Sequence, residues 1–201
     1  MTINDLKKLP ITRCPVSRYG CNTAIPNAVK YIKYSHLDWA EFGVSYGTST
    51  KTLLNYLPEL GTLHLFDSFE GLPEDWIDFN GRLRKKGTYA VNKIPDFHDP
   101  RTKYYIGLFE STIPYFVKKH SDPLAFIHVD CDIYSSTKDI FNNIDSLIIP
   151  GTIILFDDYY NYPTYFKHEY KAFMEYIENY NRKFKYLGRT KQYQAWVEIC
   201  E

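Results

Sequence analysis

The chain has 201 residues, of which 44% are hydrophobic and 24% are charged, and its formal net charge is zero. This composition is typical of one globular domain and excludes a disordered or fibrous protein. Zero net charge gives no electrostatic reason to expect a nucleic-acid partner. The sequence has no signal-peptide pattern and no apolar run near the roughly 18 residues of a membrane span, so we expect a cytoplasmic protein without a membrane partner.

The first 37 residues contain three prolines and no long periodic pattern, which predicts an N-terminal arm (1–37) with a short helix at 28–33. From Trp39 onward, apolar segments alternate with helical ones. Strands are predicted at 39–44, 62–66, 103–106, 124–129, 151–156, 183–186 and 192–200, and helices at 48–57, 112–119, 136–147 and 165–180. We therefore expect an α/β fold over residues 1–201, with a single Rossmann-like, doubly wound, mostly parallel seven-stranded sheet and an antiparallel last strand.

A long connection interrupts this alternation. Residues 68–102 join two strands with about 35 residues, where a single helix would suffice. The segment contains several aromatic side chains and a basic run at 82–86. Because it leaves the carboxyl end of a strand, where open α/β sheets bind ligands, we predict a lid-like insertion over residues 74–100. The alternative is a surface insertion with a solvated charge run.

A glycine turn follows the first predicted strand. The segment WAEFGVSYGTST, from Trp39 to Thr50, places Gly43 and Gly47 just before a helix start. Glycine lets the backbone approach a ligand, and the N–H groups of a helix start attract a carboxylate or phosphate. The four-residue glycine spacing does not match the GxGxxG dinucleotide fingerprint, because no third glycine follows.

Acidic residues end the strands that follow the turn. They are Asp67, Asp130 with Asp132, and Asp157 with Asp158. In a doubly wound sheet these strand ends share one edge, where carboxylates repel unless cations or hydroxyl donors are held there. A carboxylate at Asp67 can accept both hydroxyls of a ribose, although it could instead cap the next turn. Asp130, Asp157 and Asp158 are hard oxygen ligands suited to Mg²⁺, or to Mn²⁺ or Ca²⁺, the alternative being that the last two cap the next helix.

Candidate proton acceptors and nucleophiles are few. His128 lies two residues before Asp130 and is expected to be a buried core residue rather than a catalytic one. His98, in the predicted lid, is a better candidate for a general base. Ser135 and Ser136 lack a nucleophile-elbow motif, and we expect one of them to cap the helix that follows.

The four cysteines have no zinc-type CxxC spacing. We expect free thiols in a reducing compartment, with a Cys14–Cys21 disulfide as the less favoured alternative. No combination of histidine and cysteine has the spacing of a zinc site either.

Several segments together resemble a known family. EFGVSYGTS resembles the first motif of class I S-adenosylmethionine-dependent methyltransferases. LFDSFEGLPEDW, GLFESTIP, FIHVDCDIYSST and PGTIILFDDYY resemble, in this order, the macrolide-sugar O-methyltransferases typified by macrocin O-methyltransferase. The resemblance runs from about residue 39 to residue 160.

The resemblance implies a role for each matching residue. The methionine end of S-adenosylmethionine would be held by Glu41, Gly43, Ser45, Gly47 and Ser49, the ribose by Asp67 with Ser68 beside it, and the adenine would be bordered by Gly107, Leu108 and Phe109. A divalent metal would lie on Asp130, Asp157 and Asp158. We expect Asp130 to be both a metal ligand and a proton acceptor, with His98 as the alternative base.

The expected activity is metal-assisted methylation of a small-molecule hydroxyl, often that of a sugar. Metal-independent methylation of an amine or phenol, an NAD-dependent Rossmann oxidoreductase and a non-catalytic binding protein remain the alternatives. The formation of a homo-oligomer stays open.

Overall fold

The computed structural model describes residues 1–12 and 24–201. Its strands are β1 (Ile11–Thr12), β2 (Asp38–Phe42), β3 (Leu63–Asp67), β4 (Trp76–Ile77), β5 (Leu83–Arg84), β6 (Thr102–Ile106), β7 (Leu124–Val129), β8 (Ile153–Phe156), β9 (Phe184–Thr190) and β10 (Ala195–Ile199). Its α-helices are α1 (Ile3–Lys8), α2 (Ala24–Ala28), α3 (Thr48–Leu54), α4 (Phe109–Lys119), α5 (Tyr134–Ile144) and α6 (Glu169–Asn179). Cys14 and Cys21, which were expected to be free thiols or, less favoured, a disulfide, lie outside the described residues. Cys131 and Cys200 are free thiols.

One sheet organises the molecule, in the order β1-β9-β10-β8-β7-β2-β3-β6. Strands β8, β7, β2, β3 and β6 pair in parallel, and β10 runs antiparallel to both of its neighbours, β8 and β9. The predicted Rossmann-like α/β fold with an antiparallel last strand is confirmed. The described residues contain eight strands in this sheet rather than seven, because β1 adds a two-residue parallel pairing beside Arg189 and Thr190 of β9.

Helices cover both faces of the sheet, as apolar runs in parallel strands require. Phe42 and Phe156 pack on one face with side chains of α4, α5 and α6. Trp39 and Leu155 point to the other face, where they join residues of α2 and α3. All six positions of β7 are buried, which explains why its sequence is continuously apolar apart from His128.

Two helix predictions need correction at their starts. Helix α5 begins at Tyr134 and its N-cap position is Ile133, so neither Ser135 nor Ser136 caps it. Ser135 instead donates a hydrogen bond to Glu74, at 2.9 Å. The predicted helix at 165–180 is a short 3₁₀ turn followed by α6, with a break at position 168. None of the helices in the described residues is both long and apolar enough to cross a membrane.

The insertion between β3 and β6 is folded onto the molecule. It carries the β4–β5 hairpin, and its Trp76 is 1% exposed in a small cluster with Leu72 and Ile133. Buried Asp78 accepts hydrogen bonds from two backbone N–H groups of the hairpin and pairs with Arg84. Because Ile133 follows β7, the hairpin part of the insertion lies at the carboxyl edge of the sheet, and the role of residues 74–100 as a lid stays a prediction.

Candidate active site at the carboxyl edge of the sheet

Gly43 joins the glycine turn to the strand that carries Asp130. Its φ angle is +95°, and a Cβ atom at this position would lie 1.8 Å from the carbonyl oxygen of Asp130. Two backbone hydrogen bonds keep Gly43 close to the Asp130 carbonyl: Gly43 N donates to Phe66 O at 2.9 Å, and Asp130 N donates to Phe42 O at 2.9 Å. A residue without a side chain is therefore required here, and it brings the turn directly beside Asp130.

The rest of the turn also needs left-handed backbone. Ser45 and Gly47 have φ angles of +47° and +73°. The insertion covers Gly47, because a Cβ there would lie 2.3 Å from the ring of Phe97. Ser49 is half-buried in the first turn of α3.

Asp67 ties the turn to the end of β3. One carboxylate oxygen accepts hydrogen bonds from Val44 N and Ser45 N, both at 2.7 Å, and the other accepts from Phe69 N at 2.7 Å. A carboxylate offers about four acceptor positions, so these backbone bonds leave about one for a ribose hydroxyl. The predicted two-hydroxyl contact would require a rearrangement of one loop. Ser68, beside it, accepts a hydrogen bond from Glu70 N at 3.2 Å.

Glu41 lies beneath the turn rather than on its surface. It is fully buried, accepts a hydrogen bond from Thr50 Oγ1 at 2.5 Å, and lies 3.1 Å from Nδ1 of buried His128. Its carboxylate therefore anchors α3 to β2 and β7. Thr50 and His128 therefore lie between the Glu41 carboxylate and any cofactor bound at the turn.

The residues predicted to border adenine lie at the end of β6, on the same edge. Gly107 N donates to Asp67 O at 3.0 Å, which places this segment beside the β3 loop. Leu108 is 46% exposed, whereas Phe109 packs edge-on against Phe42 with 5.5 Å between ring centroids. Leu108 is thus the freer apolar surface of the pair.

An acidic cluster occupies the ends of β7 and β8. Its members are Asp130, Asp132, Asp157, Asp158 and, from the start of α6, Glu169. One oxygen each of Asp130 and Asp157 and one ring nitrogen of His128 lie within 4.8 Å of one another. Asp158 instead shares a hydrogen bond with Asp132 and donates its backbone N–H to Glu169 at 3.1 Å.

The electrostatics of the cluster follow from crowding. Burial, and then the charge of Asp157, raise the pKa of Asp130 well above its usual range. Burial and the neighbouring charges of Asp132 and Asp157 raise the pKa of Asp158 in the same way. Burial raises the pKa of Asp132 to about 6, and the cation of Arg84 in the insertion acts in the opposite direction.

These residues fit a divalent cation. The pKa values of four carboxyl groups are raised here, and a positive charge among them would stabilise the ionised form of each. Within residues 1–12 and 24–201, Nε2 of His128 is buried without a hydrogen-bond partner, and it belongs to a side chain that lies close to Asp130 and Asp157. The predicted ligands Asp130 and Asp157 lie together with His128, while Asp158 turns toward Asp132 and Glu169.

His98 lies apart from the cluster. Its side chain is 87% exposed. Within the described residues, its carboxylate partner is Asp96, whose Oδ2 lies 3.2 Å from Nδ1 of His98. Its φ angle of +50° belongs to an irregular part of the insertion. The structure therefore does not bring His98 to the acids with which the sequence grouped it.

Three residues of the site were given no role by the sequence prediction, although Asp132 was counted among the acidic strand ends and His128 was expected to be buried in the core. Asp132 lies two residues after Asp130, and that spacing was a usable signal, but its φ of +65° turns it out of the strand direction. His128 was interpreted as core, although it shares the sheet face of Asp130. Glu169 gave no signal, because it meets the cluster only through the packing of α6.

Comparison with known proteins agrees with the fold. A family model described as a methyltransferase domain matches residues 40–159, which is more than half of the chain. A calicheamicin methyltransferase of known structure superposes with a TM-score of 0.70 at 20% identity, over 88% of this chain and 77% of that one. An O-methyltransferase from Bacillus cereus, solved in complex with SAH, gives a TM-score of 0.56 at 16% identity, over 99% of this chain and 87% of that one.

One curated relative is closer in sequence. The 8-demethyl-8-(2,3-dimethoxy-alpha-L-rhamnosyl)-tetracenomycin-C 4'-O-methyltransferase of Streptomyces olivaceus is 29% identical over 107 residues, or 46% of this chain. The chain covers only 40% of that relative's length. The matched family model spans the glycine turn, the insertion and the acids that follow β7 and β8. The chain therefore belongs to the methyltransferase domain family.

Proposed function

We propose that the protein transfers a methyl group from S-adenosylmethionine to a hydroxyl of a small, sugar-containing acceptor, with a divalent cation bound among the carboxyl-edge acids. The contact between Gly43 and the Asp130 carbonyl carries this proposal, because it joins a glycine turn to an acidic cluster. The curated relative supports the acceptor class, since its name describes O-methylation of a rhamnosyl natural product.

The donor would lie along the ends of β2, β3 and β6. The turn at 43–49 would hold its methionine end, Asp67 one ribose hydroxyl, and Leu108 the adenine. The SAH complex of the Bacillus cereus protein, which shares the fold, supports this choice of donor. No pyrophosphate fingerprint is present in the turn, which makes NAD a poorer fit.

Methyl transfer is an in-line displacement, so the acceptor oxygen must lie behind the methyl carbon and opposite the sulfur. The sulfur–carbon bond breaks as the oxygen–carbon bond forms, and the hydroxyl proton leaves to a base. A bound cation lowers the pKa of a coordinated hydroxyl and so supplies a better nucleophile. Asp130, Asp157 and His128, with Asp158 as the further predicted ligand, would hold that cation.

The proton acceptor must reach the same oxygen. Asp130 is one candidate. Asp132 is the second, because it lies in the same cluster and interacts electrostatically with Arg84 and Tyr89 of the insertion, where burial and then the charge of Asp132 raise the pKa of Tyr89 to about 12. The insertion would then border the acceptor, which is consistent with its predicted role as a lid.

The test is turnover of labelled S-adenosylmethionine with a panel of glycosides, catechols and amines, with and without EDTA. We expect glycoside methylation that EDTA abolishes. Asp157→Ala should lower turnover at least 100-fold while SAH still raises the melting temperature, since ligand binding stabilises the folded state.

Asp122→Ala, an exposed aspartate before β7, is the matched control and should leave turnover unchanged. Unchanged turnover of Asp157→Ala in EDTA would reject the cation and favour metal-independent methylation. Stabilisation by NAD but not by SAH would reject the methyl donor.

A further inference from the structure

A second group of metal-ligating side chains lies at the opposite edge of the sheet. Asp38 begins β2, His64 lies near the start of β3, and His120 follows the last residue of α4. One ligand atom from each lies within 4.8 Å of the other two. A five-residue strand spans about 17 Å, so β2 separates this group from the acidic cluster at its other end.

His64 is held at both ring nitrogens. Its Nε2 lies 3.0 Å from Asp38 Oδ2, and its Nδ1 lies 3.2 Å from the hydroxyl of Tyr105. If Nδ1 carries the proton and donates it to Tyr105, the lone pair of Nε2 faces a carboxylate oxygen. With the proton on Nε2 instead, this contact is a hydrogen bond to Asp38, and a cation bound between Nε2 and Asp38 Oδ2 would take the place of that proton.

His120 completes the group. Its ring stacks on Phe116 and meets the ring of His64 edge-on, with 4.9 Å between centroids. Its Nε2 is buried and has no hydrogen-bond partner among the residues that the structure describes, which costs free energy unless some ligand satisfies it.

We propose that Asp38, His64 and His120 bind a Zn²⁺ ion that fastens the end of α4 to the starts of β2 and β3. Two imidazoles and one carboxylate, with water in a fourth position, form a common tetrahedral zinc ligand set. Zinc–ligand bonds of about 2.0–2.1 Å need ligand atoms about 3.3 Å apart, and because these atoms all lie within 4.8 Å of one another, no pair would have to approach by more than about 1.5 Å. His120, half-buried at the end of a helix, is the side chain placed to move.

The surroundings orient the ligands. Tyr105 holds the ring of His64, and Thr62 N donates to Asp38 Oδ1 at 2.8 Å, leaving Oδ2 for the metal. Metal-binding histidines characteristically have such a partner on the second nitrogen. The site is remote from the carboxyl edge, so its role is to stabilise the fold, and its existence does not depend on the methyl-transfer proposal.

The test uses the full chain after EDTA treatment and dialysis. Zinc content is measured by mass spectrometry, affinity by competition with a zinc-binding dye, ligand geometry by the visible spectrum of bound Co²⁺, and stabilisation by thermal melting. His120→Gln removes one ligand, and His36→Gln alters an exposed histidine just before β2 as the matched control. Asp157→Asn weakens the acidic cluster at the other edge.

We expect wild type, His36→Gln and Asp157→Asn to keep one tightly bound zinc per chain, with a tetrahedral Co²⁺ spectrum and a raised melting temperature. His120→Gln should bind zinc at least 10-fold more weakly. Tyr105→Phe keeps all three ligands but should still lose about 10-fold in affinity, because it no longer orients His64.

Equal zinc affinity in His120→Gln and His36→Gln would overturn the proposal. So would loss of the tight zinc in Asp157→Asn alone, which would place the ion at the carboxyl edge. Circular dichroism checks that His120→Gln is folded, and Asp38→Asn, a change on a partly exposed side chain, removes a second ligand independently. Asp38→Asn with unchanged zinc affinity would also reject the site.

Discussion

Aspartates at the two edges of the sheet have pKa values that are shifted in opposite directions. At the amino edge, the hydrogen bonds of Asp38 to His64 and Thr62 outweigh its burial and lower its pKa, and Arg101 lowers the pKa of Asp99 to about 2. At the carboxyl edge, burial and like charges raise the pKa values of Asp130 and Asp158. The same residue type stabilises the fold where it is paired and strains it where it is crowded.

The difference is instructive about function. A fold selected for stability alone would pair the carboxyl-edge acids, as it pairs those at the amino edge. Perturbed carboxyl groups gathered beside a backbone turn are characteristic of functional sites. Replacing an aspartate by asparagine should therefore change stability with opposite sign at the two edges.

The largest effect is expected at Gly43. Gly43→Ala would place a Cβ 1.8 Å from the Asp130 carbonyl at a φ of +95°, which forces β2 and β7 apart. We expect a loss of about 3 kcal/mol or more in unfolding free energy, measured by urea denaturation. Gly81→Ala is the control, because Gly81 has a φ of +75° but no atom within 4 Å of its added Cβ, and it should lose only about 1 kcal/mol. Equal losses would mean that backbone strain alone, rather than the strand contact, requires glycine.

Asp158→Asn should stabilise the EDTA-treated protein. The carboxyl group of Asp158 has a raised pKa in the folded state, so folding becomes less favourable as pH rises from the ordinary range near 3.9 through that raised value. Asparagine removes this penalty. At pH 8 we expect a gain of about 1 kcal/mol, or roughly 2–4 °C in melting temperature, that disappears toward pH 4. A melting temperature of Asp158→Asn at or below that of wild type at pH 8 would show that crowding does not strain this edge.

Asp99→Asn should have the smallest effect, and in the opposite direction. The pKa of Asp99 is about 2 in the folded state and lies below the unfolded value. Its contribution to the free energy of unfolding is therefore complete above pH 4 and is lost as pH falls toward 2. The pair with Arg101 is partly exposed, so we expect a loss below about 1 kcal/mol at pH 7. Urea denaturation at pH 7 and pH 3 measures it, with Asp122→Asn, a change on an exposed aspartate, as the control. A loss of the same size at both pH values would assign the effect to something other than charge.

The sequence was sufficient for the fold and for the edge of the sheet at which the candidate acids gather. Continuous apolar runs ending in Asp67, Asp130 and Asp157 identified the parallel strands, and topology alone then gathered these ends on one edge. The two-residue strand β1 was not predictable, because two residues have no periodicity. Its pairing depends on the edge of β9 being available.

Individual contacts within the site were harder to predict. Asp130 and Asp132 differ by two residues, yet the positive φ of Asp132 directs it to Asp158. Glu169 reaches the cluster because α6 packs across α5, which no local pattern encodes. His98 lies in an irregular segment, where neither the period of a strand nor that of a helix indicates where a side chain points.

The insertion between β3 and β6 has a consequence for divergence among related chains. It contributes no strand to the eight-stranded sheet, and its hairpin is held by its own buried Asp78 and by Trp76 against Ile133. Its length and side chains can therefore change without altering the register between β2 and β7. If the insertion borders the acceptor as we propose, acceptor selectivity would change over evolutionary time while the distance between the glycine turn and the acids stays constant.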